Sequence, residues 1–460
     1  MRLPLYFLYI CALKLANTMH QNDIIVAPAT ALGGAIAVIR LSGEGSIALC
    51  DTLFKGRKAL AEAASHTIHY GTICDGERVV DDVVVAVFRA PHSYTGEESV
   101  EISIHGSRYI ASEIIRLLCN GGARMAEAGE FSQRALAAGR IDLSQAEAVA
   151  DLIAAESRAA HAVAATQMRG GYSTLLDSLR EELLTVTSLL ELELDFGEED
   201  VEFADRERLK HMLENTDGVV TRLMESFRVG NAIREGVAVA IVGRPNVGKS
   251  TLLNRLVGDD RAMVSDIAGT TRDTIEESVV IDDIKFRFVD TAGLHDTDDK
   301  LEQMGIERTE RAIRQAQVVL YMTEPSQGKL EIPTLTEEQT LLVVVNKMDT
   351  SNERSVENAI YISAREGAGI DNLRQALRAT VDTEGLYRGE VVVSNMRHFE
   401  ALSRAHDHLG EALDALHNGI SEELLAEDIR SAITALAEIT GRITSDDILR
   451  NIFSHFCIGK

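Results

Sequence analysis

One eight-residue stretch constrains this chain more than any other. It reads Gly243-Arg244-Pro245-Asn246-Val247-Gly248-Lys249-Ser250, with two glycines five positions apart and then lysine and serine. An apolar run at 237–242 precedes it and a helical pattern at 250–256 follows it, as expected between a buried strand and a helix. Glycines let backbone N–H groups turn toward phosphate oxygens, and the helix N-terminus adds partial positive charge. The stretch predicts a phosphate-binding loop in which Lys249 contacts the β- and γ-phosphates and Ser250 holds Mg²⁺.

A second motif, Asp290-Thr291-Ala292-Gly293, follows a strand predicted at 286–289. An aspartate in this position lies near Mg²⁺, and the amide of Gly293 can contact the γ-phosphate. A glycine-rich turn would explain the first motif alone, but it would not explain the second motif in this order.

Two further motifs distinguish the base. Asn346-Lys347-Met348-Asp349 follows a strand predicted at 341–345. The carboxylate of Asp349 can accept from two N–H donors on the guanine edge, which adenine does not offer. Ser363-Ala364-Arg365 comes after a further strand and is similar to the loop that supports the base. The four motifs together predict a domain that binds GTP and GDP rather than an ATPase.

The composition limits the other possibilities. At 460 residues the chain has room for about three domains. Its net charge of -26 argues against a general basic surface for nucleic acid, so any RNA contacts must come from a local patch or a basic partner. The five cysteines are scattered without the spacing of a zinc site or a disulfide framework, which fits a reducing cytosol.

The first residues allow two interpretations. Arg2 precedes a short apolar run at 3–13 that resembles a signal-peptide core, but no clear cleavage site follows and the run is too short to span a membrane. We expect residues 1–22 to be a mis-called start, with Met19 as the true first residue, or an unstructured extension. A targeting peptide is the alternative.

The flanks of the GTP-binding segment differ in texture. Residues 23–140 show alternating strands, helices and glycine-rich joins, and predict a mixed α/β domain. Long amphipathic helices are predicted in 141–235 and again in 383–460, the last of them with Thr444 as its N-cap. We therefore predict a multidomain α/β and all-α chain in which a Ras-like P-loop G domain, 236–382, is inserted into a discontinuous helical domain.

The order of these parts resembles the MnmE (TrmE) family of bacterial tRNA-modification GTPases, over residues 23–460. The most specific stretches are Asp266-Ile267-Ala268-Gly269-Thr270-Thr271-Arg272-Asp273, 290–294 and the terminal Phe456-Cys457-Ile458-Gly459-Lys460. Tyr94-Thr95-Gly96-Glu97, Gly129-Glu130-Phe131-Ser132 and 143–148 are also similar to that family.

The resemblance implies an activity. Members use GTP to modify C5 of the wobble uridine of certain tRNAs to aminomethyl or carboxymethylaminomethyl derivatives. They act in the cytoplasm as homodimers and form a heterotetramer with a flavoprotein, MnmG, which carries FAD. The cofactors implied are Mg²⁺, K⁺ and a one-carbon tetrahydrofolate similar to 5-formyl-tetrahydrofolate. No membrane partner is implied.

The resemblance also assigns residues. A folate site in the N-terminal domain would use Arg40, Glu101, Arg140 and Lys460, because a carboxylate can bind pterin N–H groups and cations can bind the glutamate tail. Family members more often have lysine where this chain has Arg140. The implied GTP contacts are Asn246, Val247, Gly248, Lys249, Ser250, Thr251, Ser265, Asp266, Ile267, Ala268, Gly269, Thr270, Thr271, Asp290, Thr291, Ala292, Gly293, Asn346, Lys347, Asp349, Ser363, Ala364 and Arg365, with Mg²⁺ on Ser250 and Thr271.

Hydrolysis needs groups beyond these motifs. Small GTPases place a water-orienting glutamine after the second motif, but this chain has Leu294 there. The resemblance implies that K⁺, bound by Asn246, Ser265, Ile267 and Thr270, offsets phosphate charge, and that Glu302 orients the water. The predicted catalytic residues are Lys249 and Glu302.

Two alternatives remain from the sequence. One is a regulatory, ribosome-associated GTPase without modification chemistry of its own. The other is a dimer-forming helical protein with a decayed GTPase domain. Tetrahydrofolate binding separates the leading interpretation from the first, and nucleotide binding separates it from the second.

Overall fold

A computed structural model describes residues 23–196, 206–258, 277–289, 302–325, 330, 332–351, 354, 356–383, 389–419, 421–454, 456 and 459. The chain divides into two compact units. Of the described residues, those within 1–150, 168–206 and 415–460 form the first unit, and those within 151–167 and 207–414 form the second. Each unit is therefore assembled from segments that are distant in sequence.

The first unit contains a seven-stranded sheet. Its strands are β1 Ile24–Pro28, β2 Ile36–Ser42, β3 Phe54–Gly56, β4 Thr67–Asp75, β5 Arg78–Phe88, β6 Ser99–His105 and β7 Ala123–Met125, in the spatial order β3-β4-β5-β6-β2-β1-β7. All neighbouring pairs are antiparallel except β1 with β7. Strands alternating between buried and exposed positions are typical of an antiparallel sheet with one covered face.

Helices cover one face of this sheet. They are α1 Ser46–Leu53 and α2 Arg108–Asn120. The next helix, α3 Glu130–Ala137, instead packs Phe131 against Ile25 and Ala27 on the other face. Ile39, Val85 and Ile102 are fully buried in one apolar cluster with Ile114 of α2. Burial of this apolar surface supplies the main driving force for folding the domain.

Long helices follow, as the sequence predicts. They are α4 Leu143–Ala154, α5 Arg158–Met168, α6 Gly171–Phe196 and α7 Arg206–Glu235. Leu179, Leu183, Val186 and Leu190 of α6 are buried and lie three or four positions apart, as expected for one face of an amphipathic helix.

The second unit contains the parallel sheet of the G domain. Its elements are β8 Val237–Gly243, α8 Lys249–Gly258, β9 Glu277–Ile281, β10 Ile284–Phe288, α9 Glu302–Gln315, β11 Val318–Thr323, β12 Thr340–Val345, β13 Ile360–Tyr361 and α10 Ile370–Ala379. The strand order is β13-β12-β11-β8-β10-β9, and only β9 runs antiparallel to its neighbour. Successive residues of β8, such as Val239 and Ala240, enter two separate apolar clusters. The sheet is therefore covered on both faces, as parallel sheets are.

The described residues after the G domain contain three further helices: α11 Met396–His417, α12 Glu422–Thr440 and α13 Asp446–Ser454. In the first unit α12 packs along α6, and Arg430 forms an ion pair with Glu191 at 2.6 Å. Phe453 and Phe456 pack with Leu143 in a further cluster.

The expected cap of the last helix is wrong by one residue. The hydroxyl of Ser445 accepts from the N–H of Ile448 at 3.4 Å, whereas the hydroxyl oxygen of Thr444 is buried without a hydrogen-bond partner in the described part of the chain. Serine and threonine are both good N-caps, so adjacent candidates cannot be ranked from sequence alone. Across the described segments, no helix is both long and apolar enough to cross a membrane.

Candidate functional site: a guanine-nucleotide site at the edge of the parallel sheet

The phosphate-binding loop lies between β8 and α8, at the carboxyl end of the parallel strands. Gly243 and Gly248 have φ values of +149° and +97°. A Cβ atom on Gly243 would lie 2.3 Å from the backbone oxygen of Met322, and one on Gly248 would lie 2.3 Å from Nδ2 of Asn346. Both positions therefore require glycine for conformation and for space.

Lys249 begins α8 and points back into this loop. Its Nζ donates to the carbonyl oxygens of Gly243 at 2.8 Å and Arg244 at 3.0 Å. Burial lowers the pKa of its ammonium group. Because phosphate oxygens carry charge, they are stronger acceptors than these neutral carbonyls and suit the same ammonium.

Asn346 connects the phosphate-binding loop to the loop at 363–365. Its Nδ2 donates to the carbonyl of Val247 at 2.8 Å, and its Oδ1 accepts from the N–H of Ala364 at 2.9 Å. The residue is only 3% exposed, so both hydrogen bonds are shielded from water. The predicted Asn346 and Ala364 are thus brought together with the phosphate-binding loop.

Asp349 lies beside Ser363, whose hydroxyl donates to Asp349 Oδ1 at 2.8 Å. This hydrogen bond holds the pKa of the carboxyl group below its ordinary value. Asp349 is therefore ionised and oriented, which suits an acceptor for two N–H donors. Lys347 pairs with Glu324 at the end of β11.

Two of the predicted folate-site residues meet in the first unit. Arg40 on β2 and Glu101 on β6 are register partners, and Arg40 Nε donates to Glu101 Oε1 at 2.9 Å. The Arg40 guanidinium lies 5.6 Å from the ring centre of Tyr94 and 5.7 Å from that of Phe131, within range of cation–π attraction.

The other two predicted folate-site residues are Arg140 and Lys460, and within the described part of the chain no hydrogen bond or ion pair joins Arg140 to the Arg40–Glu101 pair. Arg140 is exposed just after α3, and a Cβ on Gly96 would lie 3.4 Å from its Cγ. The carbonyl oxygen of Gly459 is 3.5 Å from Arg40 Nη1, so the C-terminal tail reaches the pair. Lys460 lies outside the described residues.

Several predicted site residues also lie outside the described residues: Ser265, Asp266, Ile267, Ala268, Gly269, Thr270, Thr271, Asp290, Thr291, Ala292 and Gly293, together with the side chain of Glu302. Their roles stay predictions.

Models of two known families match the chain. The family described as GTP-binding protein TrmE N-terminus matches residues 24–140, and the MnmE helical domain matches residues 143–457. The chain belongs to the MnmE family. The predictions of family and fold class are confirmed: a mixed α/β N-terminal domain, helices and a P-loop G domain. The boundaries proposed for four domain segments stay predictions.

Curated relatives of the MnmE family resemble the chain over nearly its whole length. The tRNA modification GTPase MnmE of Bacteroides thetaiotaomicron is 47% identical over 464 residues, covering 96% of this chain and 100% of the relative. The protein of the same description from Christiangramia forsetii is 47% identical over 474 residues, with the same coverage. The one from Porphyromonas gingivalis is 48% identical over 467 residues, covering 96% and 98%. As a member of the MnmE family the chain is a GTP hydrolase that uses a guanine nucleotide and Mg²⁺.

The structure adds residues that the sequence reasoning did not assign. Tyr94 and Phe131 stand over Arg40, and both lie in stretches similar to the MnmE family, so the resemblance contained the signal. Arg255 of α8 donates to the loop that follows β13. No motif marks Arg255, because its partners are backbone oxygens more than a hundred residues later.

Proposed function

We propose that this chain hydrolyses GTP to drive modification of C5 of the wobble uridine of tRNA. The products are aminomethyl and carboxymethylaminomethyl derivatives, and the partner is an MnmG-type flavoprotein that supplies FAD. One observation supports the proposal: Asn346 links the loop of Lys249 to the loop of Ser363, which holds Asp349, in a chain that matches MnmE relatives over 96% of its length. Mass spectrometry of tRNA nucleosides from cells with and without the gene tests the proposal.

The nucleotide is proposed to bind at the carboxyl ends of the parallel strands. Lys249 binds the β- and γ-phosphates, Ser250 holds Mg²⁺ with Thr271, and Asp349 accepts from the guanine edge. Asn346 supports the base loop through Ala364, at 2.9 Å. Hydrolysis is assigned to K⁺, held by Asn246, Ser265, Ile267 and Thr270, and to Glu302, which orients the attacking water.

GTP hydrolysis is expected to depend on K⁺. Leu294 offers no hydrogen bond to a water, so hydrolysis needs other groups, and the proposed K⁺ would offset the charge that develops on the phosphates. We expect turnover in KCl to exceed turnover in NaCl of equal ionic strength by about tenfold or more, as for other preorganised charge stabilisers. Phosphate release measured in the two salts tests this. Equal rates in the two salts would contradict the proposed role of K⁺ in hydrolysis and would leave the proposed nucleotide binding unaffected.

The folate site is proposed at the Arg40–Glu101 pair. Both Arg40 contacts reach Glu101 Oε1, which fixes the carboxylate in orientation. A fixed carboxylate can bind the N–H groups of a pterin, and the rings of Tyr94 and Phe131 offer flat apolar surface nearby. Arg140 and Lys460 are proposed for the glutamate tail.

Replacing Glu101 with glutamine is expected to weaken binding of 5-formyl-tetrahydrofolate by about tenfold or more, because a charged acceptor is lost. Calorimetric titration measures the affinity. Glu181→Gln is the matched control, since Glu181 is exposed on α6 and pairs only weakly with Arg180, at 3.4 Å. Unchanged affinity in Glu101→Gln would place the folate elsewhere. No folate binding by the unaltered protein would favour the ribosome-associated alternative.

A homodimer is proposed on the open face of the first sheet. Ile36, Ile68 and Tyr70 are 69%, 72% and 71% exposed. Register places Tyr70 beside Val84, also exposed, on the face opposite α1 and α2. A patch of this kind is typical of an interface. Sedimentation of Tyr70→Asp tests it: an undisturbed dimer would exclude this face.

A cytoplasmic location is proposed because GTP and tRNA are supplied there.

A further inference from the structure

Arg255 lies in the last turn of α8, the helix that begins at Lys249. Its Nη2 donates to the carbonyl oxygen of Arg365 at 2.7 Å, and its Nε donates to that of Ala364 at 3.4 Å. Hydrogen bonds from an ionised donor are stronger than those between neutral groups. The helix that leaves the phosphate-binding loop is thereby tied to the loop after β13.

The loop after β13 is held at the same residue from the other side. The N–H of Ala364 donates to Asn346 Oδ1 at 2.9 Å, while the carbonyl of Ala364 accepts from Arg255. Ser363 also orients Asp349, at 2.8 Å. Asn346 therefore holds the N–H of Ala364 and Arg255 holds its carbonyl. Ala364 directly follows Ser363, the residue that orients Asp349, the carboxylate proposed to bind guanine.

Asn346 and Arg255, the two residues that hold Ala364, differ in their environment. Asn346 is almost completely buried, whereas Arg255 is half-buried and its Cζ would lie 3.8 Å from a Cβ on Gly367 in the same loop. Removing Asn346 would disturb the phosphate loop directly, because Asn346 also donates to Val247. Arg255 makes no such contact among its described hydrogen bonds, so its effect should fall on the base loop.

We propose that Arg255 is a positioning residue for guanine recognition, which holds the 363–365 loop against the phosphate-loop helix. The proposal rests on the GTP site put forward above and adds a determinant of nucleotide affinity. Without the guanidinium, the carbonyls of Ala364 and Arg365 lose their donor and the loop samples positions that do not match the base. Nucleotide affinity falls while the phosphate contacts of Lys249 remain.

The test uses the full chain with Arg255→Met, which keeps the apolar stem and removes the donors. Dissociation of fluorescently labelled GDP is expected to become about tenfold faster, as for loss of a charge-assisted hydrogen bond. KM for GTP rises by a similar factor, and kcat at saturation changes by less than about twofold. Arg255→Lys, which keeps one charged donor, recovers part of the loss.

Two readouts separate positioning from a folding defect. Inorganic tripolyphosphate, which has no base, is expected to bind with the same inhibition constant to the unaltered protein and to Arg255→Met. Arg314→Met is the matched control, since Arg314 is an exposed helical arginine that pairs with Glu310 at 3.5 Å; it should leave GDP dissociation unchanged.

The opposing results are distinct. Unchanged GDP dissociation in Arg255→Met would overturn the inference and leave the proposed function standing. Equal weakening of GDP and tripolyphosphate would overturn it too, because the residue would then act on folding alone. Failure of the unaltered protein to bind GDP would contradict the proposed function itself.

Discussion

Replacing Lys249 with alanine is expected to abolish GTP hydrolysis, lowering turnover by about a thousandfold or more, as when a preorganised charge on the phosphates is removed. Lys249 is the lysine of the phosphate-binding loop, and its ammonium already lies among the loop carbonyls, 2.8 Å from that of Gly243. Arg244 is the other cation of the loop, and its carbonyl oxygen is also bound by Lys249, at 3.0 Å. No second loop side chain is expected to replace a charge held in the centre of the loop.

Phosphate release at saturating GTP measures this loss. Lys210→Ala is the control, because Lys210 is an exposed lysine of α7 that meets Glu214 at 3.9 Å. The control should hydrolyse GTP at the unaltered rate. Near-normal hydrolysis by Lys249→Ala would show that the phosphate site has been assigned to the wrong loop.

Replacing Asp349 with asparagine is expected to weaken GDP binding by about a hundredfold or more, since a site built to hydrogen-bond a ligand rejects the mismatch strongly. The Ser363 hydroxyl and the lowered pKa keep Asp349 an ionised acceptor. Asparagine presents one acceptor and one donor, so its NH₂ would face an N–H of guanine. Xanthine carries oxygen in place of the guanine 2-amino group and complements asparagine.

The ratio of affinities for GDP and xanthosine diphosphate measures the change. It should fall in Asp349→Asn, while Asp371→Asn, on the first turn of α10, serves as the control with an unaltered ratio. An unchanged ratio in Asp349→Asn would mean that Asp349 does not contact the base.

The core of the G domain could be predicted from sequence because its signals are local. Strands β8 and β12 and helix α8 lie close to their predicted ranges, and the motifs follow the strands directly. Carboxyl ends of parallel strands meet at one edge, so the chain order of these motifs implied that they converge. The hydrogen bonds of Asn346 to Val247 and Ala364, and that of Ser363 to Asp349, agree with that convergence.

Other features could not be predicted because they depend on distant parts of the chain. Arg40 meets Glu101 across a sheet register, and Arg255 meets backbone oxygens of residues that no pattern connects to it. The grouping into compact units likewise joins 168–206 with 415–460, which only the packing of α6 on α12 reveals. Strand register and helix packing depend on tertiary contacts, and the local sequence preferences of these residues do not determine them.

The central claim is that GTP hydrolysis by this chain serves modification of the wobble uridine. Mass spectrometry of nucleosides from tRNA of cells with and without the gene tests it most directly. Deletion is expected to remove the C5-modified wobble uridine, and the unaltered protein is expected to restore it, whereas Lys249→Ala is not. Unchanged tRNA after deletion would contradict the assigned substrate and place the ribosome-associated GTPase first.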